Sequence, residues 1–163
     1  MKKITLLFML LVLLFSCNNN KIVIEKFQNE SAQFDITYPK KIKSDSINYF
    51  EISNYKSLYD DIKTDDRHKL VYIFIEDTII DKGNILDLID NDNINYKQYS
   101  LDDYKFKIPD KLLNNKKGYY KMTIAVQDII IGDVVKISNN NQEEDGLEIN
   151  LIDSRSYHEI YIE

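Results

Sequence analysis

The stretch Lys69-Leu-Val-Tyr-Ile-Phe-Ile-Glu-Asp-Thr78 decides the fold class of this chain. From Val71 to Ile75 every residue is apolar, so both faces of an extended segment would be apolar. A strand that is buried on both faces has such a continuous run, whereas a half-buried strand alternates between apolar and polar residues. The run therefore predicts an interior strand that other parts of the chain cover on both sides.

Shorter runs on either side alternate between apolar and polar residues, which indicates half-buried strands. They are residues 22–27, 34–38, 47–53, 119–127, 129–138, 147–152 and 157–162. Pro39 ends the second run, and Gly118, Gly132 and Gly146 each lie beside a later one. The C-terminal half is thus predicted to form a meander, in which the polar stretch 139–146 is a hairpin loop.

Residues 84–89 contain the strongest helix signal. Asn84 can cap the helix, Asp87 falls in the first turn, and apolar residues follow at helical spacing. A second short helix is predicted at 57–62. Because no long linker divides the chain, residues 21–163 are predicted to form a single domain. The expected fold class is β-rich α+β, either one antiparallel sheet with a helix across it or a sandwich, with one or two short helices.

Two segments of the chain resemble each other at an offset of seventy residues. Phe34-Asp-Ile-Thr-Tyr-Pro39 parallels Tyr104-Lys-Phe-Lys-Ile-Pro109, and 49–52 then falls on 119–122 without a gap. An internal duplication would produce this pattern, but so would two half-buried strands with the same alternation and the same stop, which we favour. Different strand environments for 34–53 and 104–123 would exclude duplication.

The segment before Pro39 also resembles the F-x-I-x-Y-P opening strand of PsbP-like domains. Those domains are antiparallel sheets packed with helices, so the resemblance implies a β-rich fold. It covers six residues, and this chain lacks the tryptophan that often follows the proline. The resemblance implies no functional residue.

The N-terminus combines Lys2 and Lys3 with an apolar run from Ile4 to Phe15. At 1.5 Å per residue the run spans roughly 18 Å as a helix, short of the ~30 Å hydrocarbon core of a bilayer. Residues 1–16 are therefore predicted to be a signal peptide rather than a membrane span. Leu14-Phe-Ser-Cys17 resembles the lipobox of type II signal peptides. In that family the cysteine is acylated and the chain is cleaved before it.

This resemblance implies lipid on Cys17, which would hold the protein on a membrane through residues 17–20 as a tether. Three acyl chains anchor firmly, whereas one holds only marginally. Cys17 is the only cysteine, so no internal disulfide can form. No acidic cluster follows Cys17, whereas an acidic cluster at this place resembles the surface-export signal of some Bacteroidota lipoproteins. The Asn-, Ile-, Lys- and Tyr-rich composition of the chain also resembles that of Bacteroidota proteins. We therefore expect the outer membrane, facing the periplasm. The alternative is an ordinary secretory signal with a coincidental cysteine.

The mature chain is acidic. Removing the two leader lysines from 21 basic residues leaves 19 against 27 acidic ones, a net charge of −8. Contacts to phosphates need clustered Lys and Arg, so we expect no nucleic-acid partner. The small basic clusters Lys40-Lys41-Lys43 and Lys116-Lys117 are predicted to be solvated turns.

The only histidines are His68 and His158. Asp65-Asp66-Arg67-His68 places carboxylates beside one histidine, but a metal site normally needs three or four ligands, so an exposed turn is expected. Residues 154–159 contain a serine, a histidine and a carboxylate. Because neighbours on a strand point to alternate faces, these groups are not expected to converge as a catalytic triad.

The remaining acidic runs are also expected to be structural. Asp90-Asn-Asp-Asn93 begins like a calcium loop but lacks the glycine at the sixth position and the glutamate at the twelfth, so a turn that ends the helix is predicted. Glu143-Glu-Asp145 is predicted to be a charged loop tip. The chain also has no glycine-rich phosphate loop. We therefore expect no catalytic residue, no metal ligand and no cofactor.

The unusual feature is twelve tyrosines without tryptophan, which could line a sugar- or protein-binding face or simply cover strands. The first functional hypothesis is a cell-envelope lipoprotein with a non-catalytic binding or scaffolding domain and an envelope protein as partner. The second is an inhibitor or immunity lipoprotein that uses an acidic surface. The third is a small periplasmic hydrolase, which would need His68 or His158 to meet a carboxylate in a deep pocket.

Overall fold

The computed structural model describes residues 22–28, 32–57, 59–61, 66–81, 83–90, 93–139 and 142–163, and only the backbone of 22–28, 133–139 and 142–148. The elements in chain order are β1 (Ile22–Gln28), β2 (Ala32–Pro39), β3 (Lys41–Ile42), β4 (Asn48–Ser57), β5 (Arg67–Glu76), α1 (Ile85–Ile89), β6 (Tyr96–Ser100), β7 (Lys105–Ile108), α2 (Asp110–Leu113), β8 (Gly118–Asn139) and β9 (Gln142–Ile162).

The strands form two sheets. Sheet A has the order β1-β2-β4-β7 and is antiparallel throughout. Sheet B has the order β3-β9-β8-β5-β6 and is antiparallel except where β3 runs parallel to β9. The β-rich α+β class with two short helices is confirmed. Of the two expected arrangements, a single sheet is wrong for the described residues, because strands β1, β2, β4 and β7 form a second sheet.

The predicted interior strand is confirmed in β5, which lies between β8 and β6. All five residues from Val71 to Ile75 are buried. Val71, Ile73 and Ile75 face sheet A and join the main core, whereas Tyr72 and Phe74 point to the opposite face and pack against α1. The continuous apolar run thus reflects coverage of β5 by a sheet on one side and a helix on the other.

The main core lies between the two sheets. Phe50 of β4 and Phe106 of β7 stack with their ring centroids 5.1 Å apart, and Tyr99 of β6 packs against both. From sheet B, Met122, Ile124, Val126, Ile160 and Ile162 complete this core. We call the face of sheet B that points away from sheet A the outer face.

Helix α1 begins as predicted. The Asn84 side chain accepts a hydrogen bond from the Leu86 N–H at 2.9 Å, and Ile85 is fully buried against the outer face of sheet B. The helix predicted at 57–62 is wrong, because β4 continues to Ser57 and residues 59–61 form a turn. The Asp60 side chain accepts from the Ser57 N–H at 3.0 Å, a local bond that competes with helix formation.

The C-terminal meander is two long strands rather than four short ones. The ladder between β8 and β9 extends from Gly118 opposite Ile162 to Asn139 opposite Gln142. It is interrupted only by a register shift between Ile131 and Val134. Gly132 therefore lies at a bulge instead of a turn. The predicted loop at 139–146 is also wrong, since β9 begins at Gln142. Polar residues carry the same backbone donors and acceptors as apolar ones, so their presence does not end a strand.

The two similar segments lie in different environments, which excludes the duplication. β2 is an interior strand of sheet A, whereas β7 is an edge strand of that sheet. After Pro39 the chain continues into β3 of sheet B and then into β4 of sheet A. After Pro109 it forms α2 and then β8 of sheet B. The shared pattern therefore reflects half-buried strands with a proline stop.

Candidate functional site

A pair of tyrosines, Tyr119 exposed and Tyr161 half-buried, lies on the outer face of sheet B. The β8–β9 register places Tyr119 opposite Tyr161, and the β3–β9 register places Lys41 beside Tyr161. The two tyrosine rings meet edge to face, with centroids 5.0 Å apart and 66° between their planes. Tyr119 is 72% exposed. Helix α1 packs elsewhere on this face, around Tyr72 and Phe74.

This pair lies in an open groove of about 1060 Å³, which we call the tyrosine groove. Its lining consists of Lys40, Lys41, Lys117, Tyr119, Glu159, Ile160, Tyr161, Ile162 and Glu163. Lys40 lies where the chain crosses from sheet A to sheet B, and its carbonyl accepts from the Tyr161 N–H at 2.9 Å. Gly118 starts β8 between the groove residues Lys117 and Tyr119, with a φ of 105°, a conformation that side-chain-bearing residues rarely adopt.

The charges in the groove are mixed but include lysines without a salt bridge. The Lys121 Nζ lies 2.6 Å from the Glu159 Oε2, and this hydrogen bond lowers the pKa of Glu159, with a smaller contribution from Lys40. The Lys41 Nζ lies 3.9 Å from a carboxylate oxygen of Glu163. Within the described part of the chain, Lys40 and Lys117 form no ion pair. The groove therefore carries local positive charge on an acidic chain.

The predictions for the basic clusters are confirmed only in part. Lys40 and Lys41 are exposed, but they border the tyrosine groove. Lys116 is not a solvated turn residue, because its ammonium reaches the Ile75 carbonyl and lies 3.5 Å from Glu76. It also lies over the ring of Tyr120, 5.2 Å from the centroid. A neighbouring strand supplies these partners, so the local sequence could not indicate them.

A second polar cluster lies at the seam between the sheets. The Arg67 guanidinium donates to both carboxylate oxygens of Asp128, and the side chain of Asp128 is only 1% exposed. Arg67 also donates to the Tyr59 carbonyl at 3.2 Å, and Asp60 lies 3.2 Å from both Arg67 and Lys69. Burial, assisted by the charge of Asp128, raises the pKa of Tyr55. These groups satisfy one another, which indicates a structural role.

The expected exposed turn at 65–68 is wrong for its second half. Arg67 and His68 belong to β5, where they pair with Ile130 and Ile129, and Asp65 lies outside the described residues. The missed partner, Asp128, is sixty-one residues away in sequence. Only the β5–β8 pairing brings the two side chains together.

His158 lies in the core and His68 on the surface. The His158 Nε2 is 3.0 Å from the Ser156 Oγ, and its ring centroid is 4.5 Å from that of Tyr38. Residues two apart share one face of a strand, so the expectation that neighbours in 154–159 cannot converge is wrong for Ser156 and His158. Glu159 points to the other face and bonds Lys121 instead, so serine, histidine and that carboxylate form no triad.

No metal site was expected, and the described residues contain no group of three His, Cys, Asp or Glu side chains that could hold an ion. Asp90 is the C-cap of α1, in agreement with a turn that ends the helix, while residues 91 and 92 lie outside the described part. Residues 143–145 belong to β9 rather than to a loop tip, and only their backbone is described.

Comparison of the chain with protein-family models, with curated proteins and with solved structures finds no match. In the part of the chain that the structure describes, none of the helices is long and apolar enough to cross a membrane.

Proposed function

We propose that this chain is a lipid-anchored protein of the cell envelope whose domain binds an envelope component in the tyrosine groove without catalysis. The observation that carries the proposal is the contact of Tyr119, which is 72% exposed, with the half-buried Tyr161 on the outer face of sheet B. Tyrosine offers a large apolar ring with a polar end, and this combination is typical of binding surfaces. The anchor rests on the signal peptide of residues 1–16 and on the lipobox cysteine, Cys17.

The charge pattern favours binding over the acidic-inhibitor hypothesis. An inhibitor of a basic enzyme would present a surface of one sign. Instead, acidic and basic side chains alternate in exposed pairs on the described surface: Lys41–Glu163, Lys105–Glu51, Lys107–Asp110 and Lys121–Glu159. The tyrosine groove itself has more lysines than carboxylates on its lining side chains.

The hydrolase hypothesis has less support than binding. His158 and Ser156 are 4% and 2% exposed in the core, where a substrate has no access. A second cleft, which we call the seam cleft, lies beside the Arg67 cluster and is lined by Ile52, Ser53, Tyr55, Arg67, Lys69, Leu101, Asp102 and Tyr104. Neither histidine lines the tyrosine groove or the seam cleft. A catalytic histidine must reach its substrate directly or through one water.

The anchor is tested by the intact mass of the protein extracted from membranes, with Cys17→Ala in parallel. We expect a mature chain that starts at Cys17 and carries three acyl chains, and we expect the variant to lose both the lipid and the membrane association. A wild-type product that is soluble and unlipidated would contradict the anchor and leave the groove untouched.

The groove is tested by crosslinking full-length protein in envelope membranes and quantifying the captured glycans and proteins. Tyr119→Ala should lose the captured component, because it removes the most exposed ring of the pair. Tyr104→Ala is the matched control, since Tyr104 is 74% exposed but lies at the seam cleft. Equal capture by the two variants would refute the assignment of the groove.

A further inference from the structure

The tyrosine groove combines the exposed ring of Tyr119 and the half-buried ring of Tyr161 with two lysines, Lys40 and Lys117, that form no ion pair with another described residue. Resting on the function proposed above, we propose that its ligand is an acidic oligosaccharide. Sugar rings stack on Tyr119 and Tyr161, and the acidic groups bind Lys40 and Lys117.

The aromatic pair is already positioned for stacking. The edge-to-face contact, with centroids 5.0 Å apart, is a stabilising geometry for two aromatic rings, so it favours the arrangement in which both rings border the groove. A pyranose has an apolar C–H face and a rim of hydroxyls, which match the ring and the hydroxyl of a tyrosine. A groove of about 1060 Å³ has room for several such rings.

The lysines supply the preference for acid groups. Glu159 and Glu163 are compensated by Lys121 and Lys41, at 2.6 and 3.9 Å. Lys40 lies near enough to Glu159 to lower its pKa, but neither Lys40 nor Lys117 forms an ion pair with another described residue, so both ammonium groups can bind a ligand. They lie on a mature chain whose net charge is −8, from 19 basic and 27 acidic residues. Local charge opposite to that of the whole chain selects for a ligand by sign. A neutral glycan would gain hydrogen bonds from these ammonium groups but no attraction between opposite charges.

A protein partner fits this groove less well. The cores of protein–protein interfaces are enriched in tyrosine but depleted in lysine. Here Lys40, Lys41 and Lys117 all line the groove that contains the tyrosines. A protein placed over Tyr119 would have to desolvate these ammonium groups, whereas an oligosaccharide leaves them partly hydrated.

The test titrates the full-length chain in detergent with trigalacturonic acid and with its methyl ester, which has the same rings without the charges. Calorimetry should show binding of the acid, and binding of the ester about tenfold weaker. The double variant Lys40→Gln/Lys117→Gln should bind the acid as weakly as the ester. Tyr119→Ala should weaken both ligands. Lys56→Gln, an exposed lysine on β4, and Tyr104→Ala are the controls and should bind as the wild type does.

The outcomes separate this inference from the proposed function. Equal affinity for acid and ester would overturn the acidic preference. Binding of neither ligand, together with an envelope protein whose capture depends on Tyr119, would overturn the glycan and leave the proposed function standing. Binding of neither ligand and envelope capture that is indifferent to Tyr119→Ala would overturn both.

Discussion

Replacing Arg67 with methionine should destabilise the domain more than any surface charge change. The substitution leaves the Asp128 carboxylate, 1% exposed, without its bidentate donor. An uncompensated buried charge typically costs about 3–5 kcal/mol. The contacts of Arg67 to the Tyr59 carbonyl and to Asp60 are also lost, but Asp60 is 45% exposed, so its contribution is small.

This loss is a large fraction of the ~5–15 kcal/mol by which typical domains are stable. For a domain of this size, each kcal/mol lowers the melting temperature by roughly 2–4 °C, so Arg67→Met should lower it by about 6–20 °C. Urea unfolding followed by circular dichroism measures the free energy directly. The matched control is Lys105→Met, which breaks an exposed pair with Glu51 and should cost under ~1 kcal/mol.

A second variant separates the unpaired charge from lost packing. Arg67→Met/Asp128→Val removes both charges, and buried ion pairs replaced by apolar residues often retain their stability. We expect the double variant to recover most of the loss. If Arg67→Met costs no more than Lys105→Met, or if the double variant is as unstable as the single one, the argument from a buried unpaired carboxylate is refuted.

Three further changes test local parts of the fold. Ile85→Ala should cost about 2–4 kcal/mol in urea unfolding because Ile85 is fully buried, whereas Leu86→Ala, at 38% exposure, should cost much less; equal losses would contradict the packing of α1 on the outer face. Asn84→Ala removes the bond to the Leu86 N–H and should cost about 1 kcal/mol, and an unchanged unfolding midpoint would show that the cap is not formed. Burial raises the pKa of Tyr55 in the folded protein above its usual 10.0. The stability that the neutral phenol contributes is therefore fully present below about pH 10, the pKa of the unfolded chain, and is lost as pH rises towards the folded pKa, because the unfolded chain ionises first. The stability advantage of wild type over Tyr55→Phe should therefore shrink between about pH 9 and 11, and a constant difference in urea midpoints would contradict this.

Local sequence patterns predicted the parts of the fold that depend on neighbours in sequence. The apolar run from Val71 to Ile75 indicated a strand buried on two faces, and Asn84 indicated the first turn of α1. Both follow from the periodicity of side chains along one element. The ends of β8 and β9 could not be predicted in this way, because a long ladder continues through Gly132 and through the polar stretch after Asn139.

The candidate site depended on pairing between distant strands. Twelve tyrosines were evident from the sequence, but the contact of Tyr119 with Tyr161 exists only because β8 and β9 pair in one register. A shift of one residue would send one ring to the core face. Lys40 reaches the same groove because the chain crosses between sheets just after Pro39.

The sequence by itself determined the β-rich class, the interior strand, the start of α1 and the expectation of a lipid anchor on Cys17, because each depends on residues that are adjacent along the chain. Only the tertiary structure decided that there are two sheets, that Arg67 binds Asp128, and that Tyr119, Tyr161, Lys40 and Lys117 share one groove. The physical reason is that strand pairing joins backbone groups, which are the same in nearly every residue, so side-chain patterns constrain each strand more strongly than they constrain its partner.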